Sequence, residues 1–222
     1  MARSEHHRIH AHDRVQRNRL RVAQEAARLM SEHGIRDFHR AKLKAAERLG
    51  ILDTQALPRN QEIEQALREH QRLFLADRQP RLLQRRREAA VEAMRFLHAF
   101  EPRLVGAVLD GTADAHSAVC LHVFGDGAET VGLFLRERGV PFETQTRRLR
   151  LTRETQADYP VLLFAADEIP FDLTVLPRDA LRQAPLDRID EKPMRRATLA
   201  AVEELLAADE AESLEHRLAT LR

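Results

Sequence analysis

Two residues capable of chemistry stand one apart in the apolar run Ala118–Phe124, namely Cys120 and His122. In a strand, successive side chains alternate between faces, so Val119, Leu121 and Val123 share one face while Cys120, His122 and Phe124 share the other. The same rule in Phe171-Asp172-Leu173-Thr174-Val175 sets Asp172 and Thr174 opposite the apolar residues. If the two strands are neighbours, Cys120, His122 and Asp172 converge. A thiolate, an imidazole and a carboxylate with a fourth position open to water make a chemically sensible zinc site. Each residue has a plainer account as well. Free cysteine packs as a small hydrophobe, a half-buried histidine is commonly satisfied by its neighbours, and an edge position exposes Asp172 harmlessly. Asp172 has the strongest functional case, being a carboxylate within an otherwise apolar strand.

The elements that must carry these residues can be read along the 222-residue chain, which is long enough for one core or two small ones. The first hundred residues carry helical stripes. Val22, Ala23, Ala26, Ala27, Leu29 and Met30 precede Gly34, and Phe38, Ala41, Ala45 and Leu49 precede Gly50. Ile63, Ala66, Leu67, His70, Leu73 and Phe74 form a third stripe, stopped by Pro80, and Ala90, Ala93, Met94, Leu97 and Phe100 a fourth. After Pro102 the period shortens towards two. Strands are expected at Leu104–Leu109, Ala118–Phe124, Phe142–Leu151, Val161–Ala165 and Phe171–Leu176, the last two joined in a hairpin around Asp167-Glu168. One helix interrupts them around Val131–Leu135, and another follows from about Arg195 to Ala208 with a short terminal one. The expected class is α+β. A flexible arm (1–15) leads into a helical bundle (16–100), and a small mixed sheet with flanking helices fills 101–222.

Charge is divided between these halves. Residues 1–100 hold 21 Arg/Lys against 13 Asp/Glu, and residues 101–222 hold 15 against 22, which together give the net +1. The basic half suits a nucleotide, RNA or an acidic protein surface, and Arg81 with Arg85-Arg86-Arg87 is its densest patch. The two halves also suit mutual neutralisation. His6, His7, His10 and His12 fit an unstructured terminus better than a metal site. Arg147, Arg148 and Arg150 suit phosphate contact, pairing with acids, or protection of an edge strand. A single cysteine excludes an intramolecular disulfide. With no membrane-length apolar run and no apolar stretch after Met1–His7, a cytoplasmic protein is expected, with no membrane partner.

A helix at 84–100, the run Leu104–Thr112, the run Ser117–Phe124, a further helix and a late strand bearing Asp172 together resemble the nucleotidyltransferase superfamily related to DNA polymerase beta. The resemblance covers roughly residues 84–177 and implies a Gly-Ser or Gly-Thr turn, matched by Gly111-Thr112. It also implies two carboxylates one residue apart, matched by Cys120 and His122, and a third carboxylate, matched by Asp172. In that superfamily the carboxylates hold two divalent metals that clamp a triphosphate. Mg²⁺ and Mn²⁺ prefer oxygen ligands, so Cys120 and His122 remove ordinary two-metal chemistry; Mg²⁺ or Mn²⁺ remains the expected metal if other carboxylates substitute, with zinc behind them as the softer alternative. The expectation is a degenerate member that binds a nucleotide or RNA, with Gly111, Thr112 and Arg147 as binding residues. A non-catalytic protein-interaction scaffold is a second reading, and an active enzyme with an atypical site a third, with Asp110, Asp114 and Asp172 as substitute metal ligands, Asp114 and His116 able to replace the missing ones, and Asp172, His122 and Asp114 as its catalytic residues. The segments Ala41–Gly50 and Lys192–Arg196 also resemble an uncharacterised proteobacterial family, some relatives of which carry a UDP-N-acetylmuramate–alanine ligase label. That activity needs a Gly-Lys-Ser/Thr loop, and no lysine here follows a glycine.

Overall fold

The computed structural model describes the backbone of residues 2–74, 79–152 and 154–220, and the side chains of 12–74, 79–152, 154–211 and 214. The architecture is α+β, divided into two compact units, Met1–Ala76 with Arg188–Asp190, and Asp77–Asp187 with Glu191–Arg222. In the first unit α1 (Ala2–His33), α2 (Phe38–Arg48) and α3 (Asn60–Phe74) pack through their small-residue stripes. Val22, Ala26 and Leu29 join Ala41, Ala45 and Ile63 in one apolar cluster. Alanine serves here because it costs no rotamer entropy and lets helix backbones approach closely. Asp37 caps α2 by accepting from the Arg40 amide at 2.7 Å. The backbone of residues 2–15, expected as a flexible arm, is helical in α1. His12 is exposed, while the side chains of His6, His7 and His10 lie outside the described ones.

The boundary between the units falls near residue 76, not 100. The fourth helix, α4 (Gln79–Phe96), therefore belongs with the sheet, because Ala90, Val91 and Met94 join the sheet's apolar cluster. That sheet is mixed, in the order β1 (Arg103–Val105), β2 (Val119–Phe124), β5 (Ile169–Leu176), β4 (Gln156–Ala166), β3 (Glu143–Arg150). Only β2 and β5 run parallel; the other neighbours are antiparallel. The chain therefore leaves β2 through α6 (Ala128–Glu137), builds the outer strands, and returns beside β2 as β5. The hairpin between β4 and β5 has φ 48° at Asp167 and 65° at Glu168, matching the twist that two-residue hairpin loops require.

The expected strand Leu104–Leu109 is cut short. Gly106 takes φ 70°, a left-handed value that breaks the pleat, and Ala107–Asp110 form a single helical turn, α5, closed by Gly111 at φ 76°. At the other end, α7 (Leu199–Thr220) is one unbroken helix, where a break near Ala208 was expected. One face of the sheet is dry: Val119, Leu121, Val123, Phe171, Leu173 and Val175 cluster with residues of α4, α6 and α7. The opposite face carries the polar residues that sequence alternation assigns to it. Among the described residues no helix is long and apolar enough to cross a membrane.

Candidate functional site

The parallel pairing of β2 with β5 sets Cys120 beside Asp172 and His122 beside Thr174. On the other side of β2, the antiparallel register with β1 sets Val105 beside Cys120 and Arg103 beside His122. Residues directly opposite share a face, so Arg103, His122 and Thr174 form one row across the sheet and Val105, Cys120 and Asp172 the next. Arg147, on edge strand β3, reaches across this face. Its guanidinium donates to both carboxylate oxygens of Asp172, at 3.0 and 2.5 Å, and to Thr174 Oγ1 at 3.3 Å. Burial would weaken this guanidinium's hold on its proton, but the hydrogen bonds and charge of Asp172 raise its pKa above the usual value.

Cys120, His122 and Asp172 thus share a face, as alternation requires, yet they do not form a metal-holding cluster. Among the described residues no three His, Cys, Asp or Glu side chains gather for a metal ion. The remaining donors fit neither Mg²⁺ nor Mn²⁺: Cys120 and His122 offer sulfur and nitrogen, and both oxygens of Asp172 already face a guanidinium. The other acids considered as ligands are engaged elsewhere. Asp110 accepts from Arg195 at 3.2 Å. Asp114 is buried within its own loop, accepting from the His116 amide and the Ser117 hydroxyl, both at 2.9 Å.

Gly111 and Thr112 occupy the carboxyl end of α5. Gly111 supplies a carbonyl that accepts from Gln79 Nε2 at 2.7 Å, and the Thr112 amide returns to Ala107 O. A helix end of that polarity presents carbonyls rather than amides, the wrong sign for phosphate. The glycine nearest the Cys120 row is Gly106, where an added Cβ would lie 4.0 Å from Cys120 Cβ. Its signal in the sequence is only its place as a glycine inside the apolar run Leu104–Leu109.

The basic run on α4 is largely turned inward. Arg86 (5% exposed) donates to the carbonyls of Ser117 and Ala115, each at 2.8 Å, and Arg87 (6% exposed) makes a two-oxygen pair with Asp209 of α7. These two side chains fasten the 111–118 loop and α7 to α4, so the run is not a free phosphate surface. Arg85 donates to Asp167 O at the β4–β5 turn. Replacing Arg86 with methionine keeps the apolar bulk but leaves buried carbonyls without their donor, and should lower unfolding free energy by about 2–3 kcal/mol. Urea denaturation measures this, and a loss below about 0.5 kcal/mol would show that the loop does not depend on Arg86.

His122 is 2% exposed, and its Nδ1 has no hydrogen-bond partner. Burial first, and then the positive charges of Arg196 and Arg147, hold its pKa down to about 3, so the ring is neutral at physiological pH. Arg196 reaches this face from a short pairing of Ala197 with Leu104. Its guanidinium donates to the carbonyls of Ala180 and Leu181 and stands 5.6 Å from the Phe124 ring centre. Arg148 and Arg150 are paired with Asp158 and Glu191 on or beside edge strand β3. In comparisons with known proteins, no family model matches this chain and no curated protein matches it significantly.

Proposed function

We propose that the sheet domain is a degenerate nucleotidyltransferase-type domain that binds a nucleotide or RNA through phosphate and performs no two-metal transfer. The observation that carries this reading is the Arg147–Asp172 pair. Asp172 sits beside Cys120 on the neighbouring parallel strand, the juxtaposition expected of a third carboxylate and a member of an acidic pair, but its charge is spent on a guanidinium. The same face carries Arg103, Arg147 and Arg196 against Asp172 and, on edge strand β3, Glu143, a surplus of positive charge that attracts anions. The work of the chain's own residues is then electrostatic: arginine forks match phosphoryl oxygens, and a neutral His122 adds a donor without adding charge.

A protein-interaction scaffold is the second reading, favoured by the near-complete burial of His122 and Phe124. A thermal-shift series with ATP, CTP, GTP, UTP and a short RNA, each with and without Mg²⁺ or Mn²⁺, separates the two. A ligand at 100 times its dissociation constant adds about 2.7 kcal/mol, and the expected result is a raised midpoint that needs no divalent ion. No shift with any of these leaves the scaffold. A shift confined to Mg²⁺ or Mn²⁺, together with nucleotidyl transfer, points instead to an active enzyme with an atypical site.

A further inference from the structure

Arg103 and Arg196 are both half-buried on the polar face of the sheet, and among the described residues neither has a carboxylate partner. Arg103 donates only to the carbonyls of Glu101 and Pro102, and Arg196 to those of Ala180 and Leu181. Their charges act on one another: burial and then Arg103 lower the pKa of Arg196. Two like charges held together at low dielectric are costly unless an anion joins them. Register sets Arg103 directly beside His122, the buried ring whose Nδ1 lacks a partner, and Thr174 completes the row. Of the acids on this face, Asp172 is already matched by Arg147, and Glu143 stands on β3 at the sheet edge away from β1.

Resting on the reading of a phosphate-binding domain, we infer that Arg103, Arg196 and the Nδ1–H of neutral His122 form a seat for one tetrahedral oxyanion, a phosphoryl group carried by a nucleotide or free as inorganic phosphate. The seat is one strand row away from Cys120 and Asp172, so it does not require metal ligands at those positions. An oxyanion there neutralises the two guanidinium groups and gives the orphaned imidazole nitrogen an acceptor. Protonation of the ring is not required.

The experiment titrates the full chain, with histidine labelled in the ring nitrogens, against inorganic phosphate and separately against ATP, both at fixed neutral pH without divalent cations. NMR then follows His122 Nδ1. The expected result is a saturable change of that signal with both probes, and an affinity about tenfold weaker in Arg103→Met. Arg103 is chosen for substitution because it bonds only carbonyls next to it in sequence, whereas Arg196 also holds the 180–181 turn; an unchanged thermal midpoint verifies the variant's fold. A His122 signal that neither probe moves in the unaltered protein overturns the inference, as does equal affinity in Arg103→Met. ATP binding that leaves His122 unmoved overturns the seat and keeps the nucleotide reading. Phosphate binding at His122 without ATP binding keeps the seat and overturns the nucleotide reading.

Discussion

Asp172→Ala should destabilise the sheet domain by about 2–4 kcal/mol, because it strands the Arg147 guanidinium on a largely buried face. The Asp172 side chain is 10% exposed and meets Arg147 in a two-oxygen fork, while the Arg147 side chain retains partial contact with water, which discounts the upper end of that range. The double variant Arg147→Met with Asp172→Ala should recover much of the loss, since methionine covers the same surface without a charge to satisfy. A double-mutant cycle by urea denaturation measures this coupling directly. Additive effects would mean that the pair contributes nothing beyond its parts. The same variants address chemistry: an active enzyme using Asp172 would lose metal-dependent transfer on Asp172→Ala while still folded, whereas the degenerate reading expects no transfer in either protein.

Acidification from pH 6.5 should unfold this protein earlier than its carboxylates alone would dictate, with His122 as the cause. The ring titrates near 6.5 in an unfolded chain but is held to about 3 in the fold, first by burial and then by Arg196 and Arg147. Below pH 6.5 the unfolded state therefore binds a proton that the folded state refuses, and stability falls as pH drops towards 3; above 6.5 this group contributes no slope. The full difference amounts to roughly 4–5 kcal/mol, and the part between pH 6.5 and 5, where ordinary carboxylates stay ionised, is about 2 kcal/mol. The groups around the ring sustain this direction: Arg103 on β1, Arg147 from β3 and Arg196 add positive charge, and Asp172 on β5 is already matched by Arg147. His122→Leu should flatten the slope between pH 6.5 and 5 in urea unfolding. An unchanged slope would assign the acid sensitivity to another histidine.

Sequence periodicity was sufficient for those features that depend on neighbours along the chain. The alanine-rich stripes of α1 and α2, the alternation that sets Cys120 with His122, and Asp172 with Thr174, opposite the apolar residues of their strands, and the tight turn at Asp167-Glu168 are all local, with periods of 3.6 or 2. The α+β class followed from their order. What periodicity does not contain is which strands pair and which charges meet. The parallel register that seats Cys120 beside Asp172 joins residues 52 apart in sequence, and the Arg147–Asp172 fork joins residues 25 apart. The basic run on α4 reads in sequence as a surface patch for an anionic partner because nothing local indicates that α7 and the 111–118 loop close over Arg86 and Arg87. Similarly, Gly106 and Gly111 are alike in sequence, and only the path of the backbone shows that Gly106 adjoins Cys120 while Gly111 ends α5. Tertiary packing decides such matters because a buried charge takes whichever partner the whole fold supplies, and that partner is seldom near it in the chain.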